Sequence, residues 1–204
     1  MALAHRMKLV LAAGAGAILL AATPAGAQNY SDGYKFLQGV EKSDVNTVKS
    51  LYTKNATVID ARDVVDGHTA LHIATKRRDA TWIRYLLTLG ANPNLADKAG
   101  VTPLMLASQL GFVDGIALLA SKGARVDEAN DAGETPLILA VHRHDIPMVR
   151  ILLAGGADPD RSDNSGRTAR DYAKLESVSQ ATEEFDRNDR SRKKKPGQTY
   201  GPTL

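Results

Sequence analysis

The chain has 204 residues, 43% of them hydrophobic, with no cysteine and a formal net charge of +3. That length suits one compact domain plus dispensable ends. The absence of cysteine rules out disulfides and thiol chemistry, and no segment supplies the ~20 apolar residues of a membrane-spanning helix. The charge is unevenly placed: residues 28–185 hold 18 basic and 21 acidic side chains, whereas Asp186 onward holds six basic and two acidic ones. A mildly acidic body is the opposite of what a duplex-binding domain presents, so the reading is of no nucleic-acid partner.

In chain order, Arg6 and Lys8 come first, then the apolar and small run Leu9–Ala22, then Ala25-Gly26-Ala27. These are the three parts of a cleavable signal peptide over residues 1–27, cut after Ala27. Its short, alanine-rich style predicts a bacterial protein exported to the periplasm.

Beyond it the chain repeats. Gly67, Gly100, Gly133 and Gly166 are 33 residues apart, and Thr69, Thr102, Thr135 and Thr168 keep the same period, as do Ala74, Ala107, Ala140 and Ala173. Each unit predicts a short helix opened by a threonine cap, with Pro103 or Pro136 in its first turn. A second helix carries the stripe Ile83 and Leu86, Ile116 and Leu119, or Val149 and Leu152. The first unit, residues 33–63, aligns through Phe36, Gly39, Val48 and Leu51 at a spacing of 35, so its finger is two residues longer. Full units follow at 64–96, 97–129 and 130–162. The last, 163–186, keeps its first helix but offers only Val178 and Phe185 as anchors for a second. Atypical ends are what a stacked array needs where it meets water. Residues 187–204 read as a disordered basic tail.

A 33-residue period opened by Gly-x-Thr-Pro-Leu, as in Gly100-Val101-Thr102-Pro103-Leu104 and Gly133-Glu134-Thr135-Pro136-Leu137, resembles the ankyrin repeat over about residues 33–176. The resemblance implies an all-α solenoid of helix-turn-helix units with β-hairpin-like finger loops, capped at both ends. It also implies a non-catalytic protein–protein interaction module, whose inner helices and finger tips form a concave face. Carried over residue by residue, the protein-binding positions are Val65, Asp66, His68, Lys98, Val101, Asp131 and Glu134 on the fingers. On the inner helices they are Lys76, Arg77, Gln109, Leu110, His142 and Arg143. The floor is basic through Lys76, Arg77, Arg78, His142, Arg143 and His144, which points to a periplasmic protein partner with an acidic contact segment. Departures from the family pattern include Met105 and Ile138 in place of the histidine at His72. Arg78 and His144 replace a helix-ending glycine, at about 1 kcal/mol each.

No residue pattern calls for catalysis, a metal or a cofactor. His68 and His72 are four apart, but His68 precedes the Thr69 cap, so the pair is not expected on one helical face; the resemblance implies a structural hydrogen-bonding role for His72. The basic run from Arg190 to Lys195 lacks the aromatic residues that stack on bases. Membrane contact is expected only through this tail, which gives a second reading as an envelope tether. The chain is expected to be a monomer.

Overall fold

The computed structural model describes residues 31–193, so the expected signal segment and the residues from Lys194 onward lie outside the described part. Ten α-helices in this part follow one another in pairs. They are α1 (Asp32–Glu41) and α2 (Val45–Lys54), α3 (Ala70–Lys76) and α4 (Ala80–Thr88), then α5 (Pro103–Leu110) and α6 (Val113–Ser121). α7 (Pro136–His142) and α8 (Ile146–Ala154), then α9 (Ala169–Leu175) and α10 (Ser179–Lys193), complete the array. The first helices stack on one another along the array, and from α4 onward the second helices do the same. No strand occurs among the described residues; an isolated antiparallel bridge joins Ser162 and Thr168. The architecture is the expected all-helical solenoid.

Local chemistry fixes each helix start. The hydroxyls of Thr102, Thr135 and Thr168 accept the N–H groups of Met105, Ile138 and Asp171, satisfying donors that the first turn leaves free. Asp44, Asp79 and Asp145 do the same for α2, α4 and α8. The first helices end on residues with positive φ: Ser43, Arg78, Gly111, His144 and Ser177. Glycine occupies this left-handed conformation only at Gly111, so the strain expected at Arg78 and His144 is present.

Packing follows the period. Leu71, Leu104 and Leu137, with Ile83, Ile116 and Val149, are at most 1% exposed, and the Ala74, Ala107, Ala140 and Ala173 row is fully buried. Alanine at that row lets the paired helices approach closely. One apolar cluster runs from Phe36 to Phe185, so every unit buries a face against a neighbour and none completes a core alone. In the first unit the longer connection folds into a 3-10 turn, Ala56–Asp60.

The C-terminus departs from expectation. Where a degraded helix and a disordered tail from Arg187 were expected, α10 is a 15-residue helix reaching Lys193. Val178, Ala181 and Phe185 anchor it in the core. The carboxylate of buried Glu184 meets Arg150 at 2.7 Å and Arg187 at 2.8 Å. Arg170 joins Asp160 and Asp189, each at 2.7 Å, and lies over the Phe185 ring. Composition suggested a solvated tail because these charges find partners on other elements, which no local window of sequence contains.

Candidate functional site

Four fingers project beside the first helices. Each closes on a backbone bond, from Asp97 N–H to Val101 O (2.9 Å), Asn130 to Glu134 (3.0 Å) and Asp163 to Arg167 (2.9 Å). The first is one residue wider, closing from Asp63 to His68. The side chains of Asp97, Asn130 and Asp163 turn back to accept N–H groups two and four residues on, and this is why Asp or Asn opens each finger. Hydrogen bonds from the Tyr172 and Ser165 hydroxyls hold the Asp163 carboxyl far below the usual carboxylate range.

The structure divides the expected contact residues into two groups. Most are tied within the molecule. Arg77 donates to Val40 O (2.6 Å) and Glu41 O (3.0 Å) at the end of α1. Arg143 donates to Gln109 O, and Arg78, from the other side, to Leu110 O. These guanidinium groups sit on helix C-terminal carbonyls, where a cation is favoured, and so couple successive units. His68 lies between Asp66 (2.7 Å) and Asp97 (3.4 Å). Val101 O takes the His72 Nε2 bond at 2.9 Å, and Lys98 Nζ reaches Val64 O and Val65 O. His142 Nδ1 meets Glu176 at 2.5 Å, with Glu134 at 3.7 Å on its other side and Tyr172 against its ring. The second group is free: Lys76, Gln109 and Asp131 are exposed, and their side chains make no hydrogen bond or ion pair among the described residues. Leu110 is half-buried beside them.

His72 is wholly buried. Its Nδ1 accepts the Thr69 N–H at 3.1 Å, so Nε2 carries the proton given to Val101 O. Burial lowers its pKa, keeping it neutral. As expected, His68 and His72 share no helical face, since His68 precedes the Thr69 cap and α3 starts at Ala70, but their rings stack at 5.3 Å. Both His72 nitrogens are engaged, and among the described residues no group of three or more His, Asp or Glu is placed to hold a metal ion.

Three contributors were not marked by sequence reasoning. Val64, beside Val65 at the tip of the first finger, is 82% exposed and Val65 80%; the longer finger was the available signal. Glu176 and Asn164 cross between units to His142 and Asp131, pairings that no spacing reveals.

Comparison with known proteins agrees with this geometry. The profile for ankyrin repeats (3 copies) matches residues 36–130, and that for ankyrin repeats (many copies) matches residues 119–173. A 67-residue stretch is 39% identical to "Nuclear factor NF-kappa-B p110 subunit" of Drosophila melanogaster, covering 32% of this chain and 7% of that protein. Another comparison, 39% identical over 54 residues, is with "Putative ankyrin repeat protein FPV031" of fowlpox virus, covering 26% of this chain and 16% of the viral one. The chain therefore spans less than a fifth of either relative. Ankyrin repeats generally mediate protein–protein interaction and are typically non-catalytic. With both profiles, the 33-residue period and the stacked helix pairs in agreement, the chain belongs to the ankyrin-repeat family.

Proposed function

We propose that this chain is a non-catalytic module that acts as a monomer in the periplasm, binding a protein partner across its concave face and finger tips. What supports the reading is variation between its own units. The structural rows repeat Gly, Thr and Ala without change, while positions 65, 98 and 131 read Val, Lys and Asp, and positions 76, 109 and 142 read Lys, Gln and His. Of these side chains Lys76, Gln109 and Asp131 are exposed and unpaired among the described residues and Val65 is 80% exposed, so they are available for recognition. The Val64–Val65 tip offers the partner apolar contact. Lys76, with the retained charges of Arg77, Arg78 and Arg143, favours an acidic segment over the helix floor.

The test is a pull-down from periplasmic extract with the full chain beside a Val65→Ser, Lys76→Glu, Gln109→Glu variant. These positions are exposed, so the fold should survive the changes. A protein retained by the natural chain and lost by the variant supports the face, and equal recovery by both rejects it. Export has its own check. Protein recovered from the periplasm should begin at Gln28, and an intact Met1 in the cytosol would refute the compartment.

A further inference from the structure

The finger array is unevenly knit. Lys98 N–H donates to Asp66 O at 2.9 Å, joining the first and second fingers, and Asn164 N–H donates to Ala132 O at 3.1 Å, joining the third and fourth. These are the same bond in the repeat register. Its middle member, from Asp131 N–H to Ala99 O, is absent. Side chains explain the gap. Lys98 Nζ reaches back to Val64 O (2.5 Å) and Val65 O (3.1 Å), and Asn164 Nδ2 reaches back to Asp131 O (2.9 Å). Asp131 stands in the same register position and has no side-chain N–H to give. Its carboxylate would face the carbonyls of the preceding finger, where like partial charges repel.

The turn glycines record the same separation. A Cβ on Gly67 would lie 3.1 Å from Lys98 N and one on Gly133 would lie 2.6 Å from Asn164 N, yet one on Gly100 would meet nothing within 4 Å. The second and third fingers thus stand apart. Their facing loops carry Lys98 O and Ala99 O, neither accepting a hydrogen bond among the described residues, and the exposed Asp131, whose carboxylate is unpaired among them.

We propose that this notch receives a lysine or arginine side chain from the partner protein. The proposal rests on the reading that a protein binds the fingers, and it specifies the chemistry at one point of that contact. Two main-chain acceptors beside a carboxylate complement a cationic donor and reject an anionic or purely apolar one. The molecule contains a partial precedent one period earlier, where the Lys98 ammonium is seated on Val64 O and Val65 O, the second of them in the register of Lys98 O. The partner's cation occupies the place that Asp131 leaves vacant.

The experiment is a ¹H–¹⁵N NMR titration of the full chain with two blocked pentapeptides, Gly-Gly-Lys-Gly-Gly and the same sequence with norleucine at its centre. The lysine peptide should shift the amides of Ala99, Gly100 and Asp131, saturating in the millimolar range expected of one side chain. The norleucine peptide should leave them in place. Asp131→Asn restores the side-chain N–H that Asn164 gives in the same register, so it should close the notch and lose the response. Asp131→Lys should abolish it and slow hydrogen exchange at the position-131 amide, because the new ammonium closes the notch from within. Lys76→Glu should change nothing. Equal shifts with norleucine, shifts centred elsewhere, no shifts, or an Asp131→Lys chain that titrates like the natural one would each overturn the proposal. A partner lost on Lys76→Glu but retained in full by Asp131→Lys would refute the notch and leave the binding face standing.

Discussion

At the junction of the first two full repeats, His72 donates to Val101 O, His68 sits between Asp66 and Asp97, and Lys98 grips two carbonyls of the preceding finger. At the next junction, Met105 and Asp131 occupy the places of His72 and Lys98, and no hydrogen bond crosses between the fingers. The helices beneath are stacked alike at both. The loops at the far end of the units also share one bond: Asn92 N–H to Asp60, Arg125 N–H to Asn94 and Asp158 N–H to Asp127. Apolar stacking therefore sets the solenoid, while polar ties set the posture of each finger. The two can vary separately, and this allows one scaffold to carry different recognition edges.

The largest test makes the first junction like the second. His72→Met leaves the buried Thr69 N–H without its acceptor and Val101 O without its side-chain donor, and should destabilise the chain by about 2–4 kcal/mol. A urea midpoint that falls at unchanged slope would show it. The loss should depend on pH. Burial lowers the folded-state pKa of His72 below its ordinary 6.5. The unfolded chain therefore binds more protons between those two values, and stability falls as the pH drops through that window. The difference between natural and variant chains should be greatest above pH 6.5 and shrink on acidification below it. A constant difference would mean that His72 titrates alike in the folded and unfolded chains.

The legible part of this molecule was the part that repeats. The buried rows headed by Leu71, Ala74 and Ile83, the threonine caps and the altered first unit all follow from residues whose cause is local or periodic, and the role of His72 follows from the family resemblance. The finger posture was not legible, because the difference between Lys98, Asp131 and Asn164 matters only when each is placed against the preceding finger. The same holds for Arg77 and Arg143. Sequence placed them on the concave floor, but their guanidinium groups bond carbonyls that lie more than thirty residues away. α10 was misjudged for a related reason: its polar composition conceals ion pairs to Arg150 and Arg170.

A smaller effect of opposite sign comes from importing the third repeat's solution into the first. Thr75 is wholly buried, and its hydroxyl has no partner. In the same register, the Ser108 hydroxyl bonds Leu104 O and Val141 has no hydroxyl. Thr75→Val should stabilise the chain by about 1 kcal/mol. An unchanged thermal midpoint would mean that the hydroxyl is satisfied in solution. Lys98→Met should cost less than about 1 kcal/mol, since the side chain is exposed. It should nevertheless open a second notch, read as faster exchange at the position-98 amide and new lysine-peptide shifts at the first finger. Exchange as slow as in the natural chain would mean that the backbone bond to Asp66 O holds the fingers without the ammonium.

The smallest expected effect lies at the far end of the units, where Asn94 at the first junction and Asp127 at the second accept the same backbone N–H. Asparagine keeps the acceptor without a charge. Burial raises the Asp127 carboxyl pKa above 3.8, opposed by the Asp158 N–H bond and reinforced by the Asp158 charge. The folded chain thus holds more protons than the unfolded one between 3.8 and that raised value, and the ionised form costs stability above it. Asp127→Asn should accordingly gain about 0.5 kcal/mol at neutral pH, with the gain disappearing as the pH falls below 3.8. Thermal midpoints at pH 7 and pH 3 would decide it. A variant less stable at neutral pH would show that attraction from Arg161 and Arg192 outweighs the burial of the carboxylate. The second junction would then be held by charge where the first is held by a neutral amide.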